Sequence, residues 1–219
     1  MITRRAHRAS TLRYILLNKP YGIVSQFTPE GPHEGLASLG HLPHDVYAAG
    51  RLDADSEGLL LLTNDPRVIH RLTDPAFGHP RTYLAELEGI PDDEDLERLR
   101  SGPVVKGRKT RGAEATLLPA PPEMPPRPVP IRFRKSVPSS WVKLTLTEGR
   151  NRQVRRMSAA VGHPTLRLIR IAIGPLSLEG LKAGEHRSLT DEEQKSLFRS
   201  LGIEETRPAA RPRAGGPRK

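Results

Sequence analysis

Four consecutive leucines, Leu59 to Leu62 in "GRLDADSEGLLLLTND", restrict this chain more than any other feature. The run is too short for a helix, and it has no polar side to give to water. It fits a strand covered on both faces. A sheet with such a strand in its interior needs a layer on each side. The 219 residues are enough for one sizeable core or two small lobes sharing one. Aromatic residues make up only 4%, so that core is built from Leu, Val, Ile and Ala. Directly before the leucines stand Asp53, Asp55 and Glu57, beside Arg51. Why so much charge opens onto so apolar a segment is the question the chain poses.

The neighbouring segments alternate between strand and short-helix patterns. "LRYILLNKPYGIVSQF" reads as strand, turn, strand, with Pro20 and Gly22 marking the turn. "TNDPRVIHRLTDP" predicts a short helix with Asp65 as N-cap and Pro66 in its first position. "RTYLAELEG" alternates, placing Tyr83, Ala85 and Leu87 on one face of a strand. "DDEDLERLRSG" is a helix with acids in its first turn, and "VVKGRKTRGAEATLL" holds two strand candidates. Residues 119–138 contain eight prolines, which excludes regular structure and predicts a long surface loop. "WVKLTLTEG" and "TLRLIRIAIG" read as strands. Between them "QVRRMSAAVG" has helical spacing at Val154, Met157 and Val161, with Gly162 as its stop. Thr190 and Glu193 form a capping box opening a last helix through Leu201. Many strands, few helices and no βαβ repeat predict an α+β fold on a largely antiparallel sheet.

The formal net charge is +10, and its placement matters more than its size. Residues 1–13 carry four arginines and no acid, and residues 206–219 carry four arginines and a lysine and no acid. This predicts a basic N-terminal tail over 1–11, one folded unit over 12–205 and a basic, disordered tail over 206–219. Within the folded unit, residues 148–170 hold six arginines and one glutamate, a local basic surface that points to nucleic acid. There is no cysteine, which removes disulfides, thiolate metal sites and cysteine nucleophiles. No run approaches the length that spans a bilayer, and none follows "MITRRAHRAS" as a signal peptide would. The cytoplasm is the expected compartment.

"DADSEG" imitates the start of a calcium loop, but its twelfth position is Asn64 rather than a bidentate glutamate, and four leucines fill positions 7 to 10. His33, His41 and His44 lack an acid partner at zinc-site spacing. No metal site is expected. Asp53 and Asp55 could stand near enough for a sugar-cleaving carboxylate pair. Otherwise the three acids are turn residues, and for Asp55 and Glu57 that solvated reading is the one adopted, with Gly58 supplying an unusual dihedral. Tyr83 taken alone reads as a core aromatic on an alternating strand.

"NKPYG", "GRLDADSEGLLLLTND", "RTYLAEL", "EGRNRQVRRM" and "LRLIRIAIG", in that order, resemble the RsuA-type family of RNA pseudouridine synthases over about residues 12 to 190. Such enzymes often carry an RNA-binding S4 domain ahead of the first strand. Only about a dozen residues precede "YILLNKP", so its absence is expected. The resemblance implies the family's fold, with two sub-lobes on a shared sheet around an RNA-binding cleft. It implies isomerisation of one uridine of large-subunit ribosomal RNA, with no cofactor, no membrane and a monomeric enzyme. By the same resemblance Asp53 is the catalytic aspartate, Arg155 its cationic partner, and Tyr83 the tyrosine that stacks on the flipped base and handles the C5 proton. Leu168 packs near the base, and Arg51, Arg150, Arg152 and Arg156 contact RNA. Arg127, Arg132, Arg134 and Lys135 of the proline-rich loop are candidates for extra contact surface. Two other classes compete: a non-catalytic RNA-binding or ribosome-assembly protein on the same fold, and a hydrolase cleaving nucleosides or sugars with Asp53 and Asp55.

Overall fold

The computed structural model describes residues 11–127, 129–130 and 137–204. The two basic tails (apart from Thr11) and Arg132, Arg134 and Lys135 lie outside the described residues. The chain runs through β1 (Tyr14–Lys19), β2 (Tyr47–Ala48), β3 (Glu57–Thr63), α1 (Pro66–Thr73), β4 (Arg81–Glu88) and α2 (Asp93–Ser101). It continues through β5 (Val104–Val105), β6 (Arg108–Lys109), β7 (Ala113–Leu117), β8 (Ser139–Leu146) and α3 (Gln153–Ala160). The last elements are β9 (Thr165–Ile173), β10 (Leu176–Ser177), β11 (His186–Ser188) and α4 (Asp191–Leu201).

Among the described residues nine strands form one sheet, with the order β11-β1-β3-β9-β4-β8-β7 and with β2 and β10 paired to β3 and β9. All neighbours are antiparallel except β3 and β9, joined by the short parallel pairing of Glu57 with Ile169 and Gly58 with Arg170. That seam divides the sheet into two lobes with separate cores. On one side α2 and α3 pack Leu96, Leu99, Val154 and Met157 on Ala85, Leu87, Leu144 and Leu146 of the sheet. On the other, the leucine run lies between two layers, as its composition demands. Leu59 and Leu61 meet Val68, Leu72, Leu197 and Phe198 of α1 and α4. Leu60 and Leu62 meet Leu36, Leu42 and Val46 from the segment between β1 and β2. Every residue of β3 is buried.

The helix ends follow their caps. Asp65 accepts from the Arg67 amide and opens α1 with Pro66 behind it, and Thr190 and Glu193 bond reciprocally to open α4. One expectation fails: no strand follows the turn at Pro20–Gly22. Residues 23–27 run instead beside the acidic loop, where the Ser25 hydroxyl donates to the Leu52 carbonyl at 2.8 Å and accepts from the Leu52 amide at 2.9 Å. The "VVKGRKTRGAEATLL" segment makes three strands rather than two, because Lys106 and Gly107 turn β5 and β6 into a hairpin separate from the main sheet.

Candidate active site

The seam between the lobes is where the acidic loop lies. Gly58 makes the approach possible: at φ +106° it takes a conformation that side chains resist, and a Cβ there would collide with the Arg170 carbonyl oxygen. The loop before it is gripped from both sides. Ser25 holds Leu52, and the Gly22 amide donates to the Ala54 carbonyl at 2.7 Å. The residue held between these two grips is Asp53. Lys19 fixes the gripping turn from within, its fully buried Nζ donating to the carbonyls of Pro20 at 2.9 Å and Ile23 at 2.6 Å. Burial pushes the Lys19 ammonium down to about 8, against the opposing pull of Glu57 and Asp55.

A cleft of about 500 Å³ opens over this loop, and Asp53, Tyr83, Arg152, Leu168 and Arg170 line it together. Register explains the company. Tyr83 of β4 pairs with Arg170 of β9, and Leu168 stands two residues from Arg170 on the same strand, so the three share a face. Arg51 and Arg150 also line the cleft. Arg51 is largely exposed, with Glu30 at 3.8 Å. Arg150 leans on buried Glu148 at 3.3 Å, and Glu148 in turn accepts from the Gln153 amide group and the Arg111 backbone.

Two sequence expectations about charge need correction. Arg155 makes no direct ion pair with Asp53, whose charge reaches it only at longer range. Its Nη2 donates to the Asp55 backbone carbonyl at 2.7 Å, its Nη1 to the Thr165 carbonyl at 3.1 Å, and its Nε lies 3.4 Å from the Asp55 carboxylate. Arg155 buttresses the loop from behind and is not among the cleft-lining residues. Glu57 is not a solvated turn residue but a buried residue of β3, and Asp55, though it stays in the turn and partly exposed, is paired. Asp55 takes a two-pronged bond from Arg152 at 3.0 and 2.8 Å, and Glu57 takes one from Arg167 at 2.9 and 2.8 Å. Burial raises the Asp55 carboxyl, but the Arg152 bonds and the Arg155 charge outweigh it and hold it below the usual range. The physical reason is the seam: acids entering it leave water and must take cations with them.

Among the described residues, Asp53 has one ion-pair partner, Arg152, at 3.6 Å. Its carboxylate is thus kept beside a cation without being saturated by it. Arg152 manages this from an unusual backbone. It caps α3 at φ 52°, ψ 37°, a left-handed conformation uncommon outside glycine, which turns its guanidinium onto the acidic loop. Arg156 stands apart from the cleft, donating to Asn151 at 2.6 Å beside a second hollow of about 270 Å³ that it lines with Lys106, Arg108 and Arg150. Arg150 and Asn151 border both hollows.

Sequence reasoning missed Lys19, Ser56, Arg81 and Arg170. Arg81 lines the cleft while its guanidinium donates to the Leu72 carbonyl at the end of α1. Two of these left a signal: Arg81 and Arg170 are charged positions on the cleft faces of strands, two residues from Tyr83 and Leu168. Among the described residues no three acid or histidine side chains converge as a metal group.

The family described as RNA pseudouridylate synthase matches residues 13–160, and the chain belongs to it. It is 54% identical over 169 residues to ribosomal large subunit pseudouridine synthase E of Xanthomonas axonopodis pv. citri (strain 306), covering 76% of this chain and 88% of that one. To the protein of that name from Vibrio parahaemolyticus serotype O3:K6 (strain RIMD 2210633) it is 44% identical, covering 81% and 74%. A crystal structure of a pseudouridylate synthase superposes with a TM-score of 0.72 at 31% identity, over 87% of this chain and 75% of that one.

Proposed function

We propose that this chain isomerises one uridine of large-subunit ribosomal RNA to pseudouridine, with Asp53 acting at the ribose of a flipped-out nucleotide. The observation that carries the reading is an aspartate clamped on both sides, bordered among the described residues by one arginine at 3.6 Å and lining one cleft with Tyr83 and Leu168. The reaction breaks the N1–C1′ bond and joins the same base through C5. Asp53 attacks C1′ or removes the C2′ proton, and either task needs the ionised carboxylate. Arg152 stands beside it at 3.6 Å, and Arg155 holds the loop through Asp55. Tyr83 lies under the base, with its hydroxyl suited to the proton leaving C5.

The nucleotide enters by leaving its stack, at a cost of a few kcal/mol. Arg51 and Arg150 at the rim, and the second hollow with Lys106, Arg108 and Arg156, form a basic path for the flanking phosphates. No electron is gained or lost, so the reaction calls for no cofactor, and every assigned role lies within one chain between residues 12 and 205, which suits a monomer acting on RNA in the cytoplasm. Among the described residues no helix is long and apolar enough to cross a membrane.

The test is a pseudouridine map of ribosomal RNA from cells lacking the gene, complemented with wild type or Asp53→Asn. One uridine should regain modification with the wild type only. Full modification with Asp53→Asn refutes the catalytic assignment, and an unchanged map on deletion refutes the substrate.

A further inference from the structure

Arg170 is the largest fully buried side chain among the described residues, 2% exposed, and no carboxylate there pairs with it. Its one hydrogen bond runs from Nε to the Leu59 carbonyl at 2.8 Å. Its Nη2 is buried without any partner, and so is the Ser56 hydroxyl. Both residues line the cleft that holds Asp53. The other buried cations among the described residues have charged or polar partners: Arg167 has Glu57, Lys19 has two carbonyls, and Arg155, whose Nε also lacks a hydrogen bond, lies 3.4 Å from the Asp55 carboxylate. A buried guanidinium with neither acid nor full hydrogen bonding is a cost to the folded chain, and a ligand that completes it explains its retention.

The face it occupies says which part of the nucleotide that is. Phosphates stay at the rim with Arg51, Arg150 and Arg152, which are exposed. Arg170 lies beside Tyr83 and two residues from Leu168 on the same sheet face, the floor over which a flipped base would lie. Arginine only donates, and uracil offers the carbonyl oxygens O2 and O4.

We propose that Arg170 donates through its guanidinium to a carbonyl oxygen of the flipped uracil and stabilises the charge the ring takes up when its glycosidic bond breaks. This rests on the reading of Asp53 given above. When the N1–C1′ bond breaks, its electron pair stays with the ring, making a uracil anion delocalised over N1 and both carbonyls. Asp53 has meanwhile bonded C1′ or taken the C2′ proton. C5 of the anion then bonds C1′, the Asp53 bond or proton is returned, and the C5 proton leaves as N1 gains one. Nothing is oxidised, and no co-reactant is consumed. A fixed donor aimed at the developing charge acts on the rate rather than on the affinity.

The test is single-turnover conversion of an RNA fragment bearing the target uridine, with wild type, Arg170→Gln and Arg170→Lys, repeated with 5-fluorouridine at the target. Arg170→Gln should slow the uridine reaction by about 100–1000-fold, with the Kd for RNA changed by no more than a few-fold, and Arg170→Lys should recover part of the rate. Fluorine stabilises the departing anion by itself, so loss of N1-linked 5-fluorouridine should show a deficit at least about ten-fold smaller. A rate for Arg170→Gln within three-fold of wild type overturns the proposal. So does an equal deficit with both bases, or a loss that appears in Kd and in its salt dependence, the mark of a phosphate contact. A lowered melting temperature, with the rate restored in the cold, would make Arg170 merely structural and also overturn it. Conversion by wild type with an unaffected variant removes the role of Arg170 alone, and no conversion by wild type removes the reading of Asp53 with it.

Discussion

Glu57 and Arg167 give the sharpest quantitative test of the seam. Their side chains are 11% and 10% exposed and meet through two parallel bonds at 2.9 and 2.8 Å. Removing one member of a buried pair costs roughly 3–5 kcal/mol, because the other is left desolvated. The two deletions are not equivalent. Arg167→Met leaves Glu57 with the attraction of buried Lys19, which places it near the bottom of that range, about 3 kcal/mol. Glu57→Leu leaves Arg167 unpaired and strips Lys19 of its foremost opposing charge, which places it near the top, about 5 kcal/mol. The double variant removes both charges of the pair but still strips Lys19 of Glu57, so it should keep only that part of the loss, about 2 kcal/mol. Urea unfolding with a slope of roughly 2–3 kcal/mol/M converts these to midpoint losses of about 1 M, about 2 M and about 0.8 M. Two single variants each costing less than 1 kcal/mol, or a double variant as unstable as their sum, would refute the account of the pair. Equal single losses would refute the role given to Lys19.

Three further outcomes follow from the same geometry. Asp55→Ala frees Arg152 to close on Asp53 and removes the brace to Arg155, so kcat should fall at least about ten-fold with RNA affinity nearly unchanged; single-turnover kinetics beside filter binding measures both, and a loss confined to affinity counts against it. Glu193 is pulled down to about 2 by the two-pronged bond from Arg187. Its contribution is therefore full above the unfolded value of about 4.3 and lost as pH falls through about 2. In this partly exposed setting Glu193→Gln should cost about 1 kcal/mol at pH 7, a loss that shrinks as pH falls toward 2 and vanishes below it, read from melting curves. Replacing Lys106 and Arg108 together by glutamine should reduce the slope of log K against log salt by about 0.7 for each phosphate no longer neutralised, and an unchanged slope would take the second hollow out of the RNA path.

Most of the fold was legible because its signals are local. The leucine run, the Asp65–Pro66 helix start, the capping box at Thr190 and the alternation of "RTYLAELEG" each state a preference within a few residues, and the structure honours all four. The strand expected after Gly22 was misread because apolar character there serves a different purpose. Ile23 and Phe27 pack against the core beside Leu36 and Leu42, while the backbone and Ser25 are taken up by the acidic loop. A hydrophobic pattern reports that a segment is buried; it does not report which groups its amides will meet.

The site was legible in its parts and misread in its pairings. Asp53, Tyr83 and Leu168 come together as the resemblance implied, but three acids spaced two apart gave no indication of which would keep its charge available. That choice is made by residues about a hundred positions away. Arg167 claims Glu57, Arg152 claims Asp55 from a left-handed backbone, and Arg155 claims the Asp55 carbonyl. Each pairing depends on Gly58 letting β3 approach β9, so it exists only once the two lobes have met. The acids at the mouth of the leucine run thus divide their work. Two are matched to arginines and fix the loop across the seam, and that lets the third stand beside a cation without being bound to it.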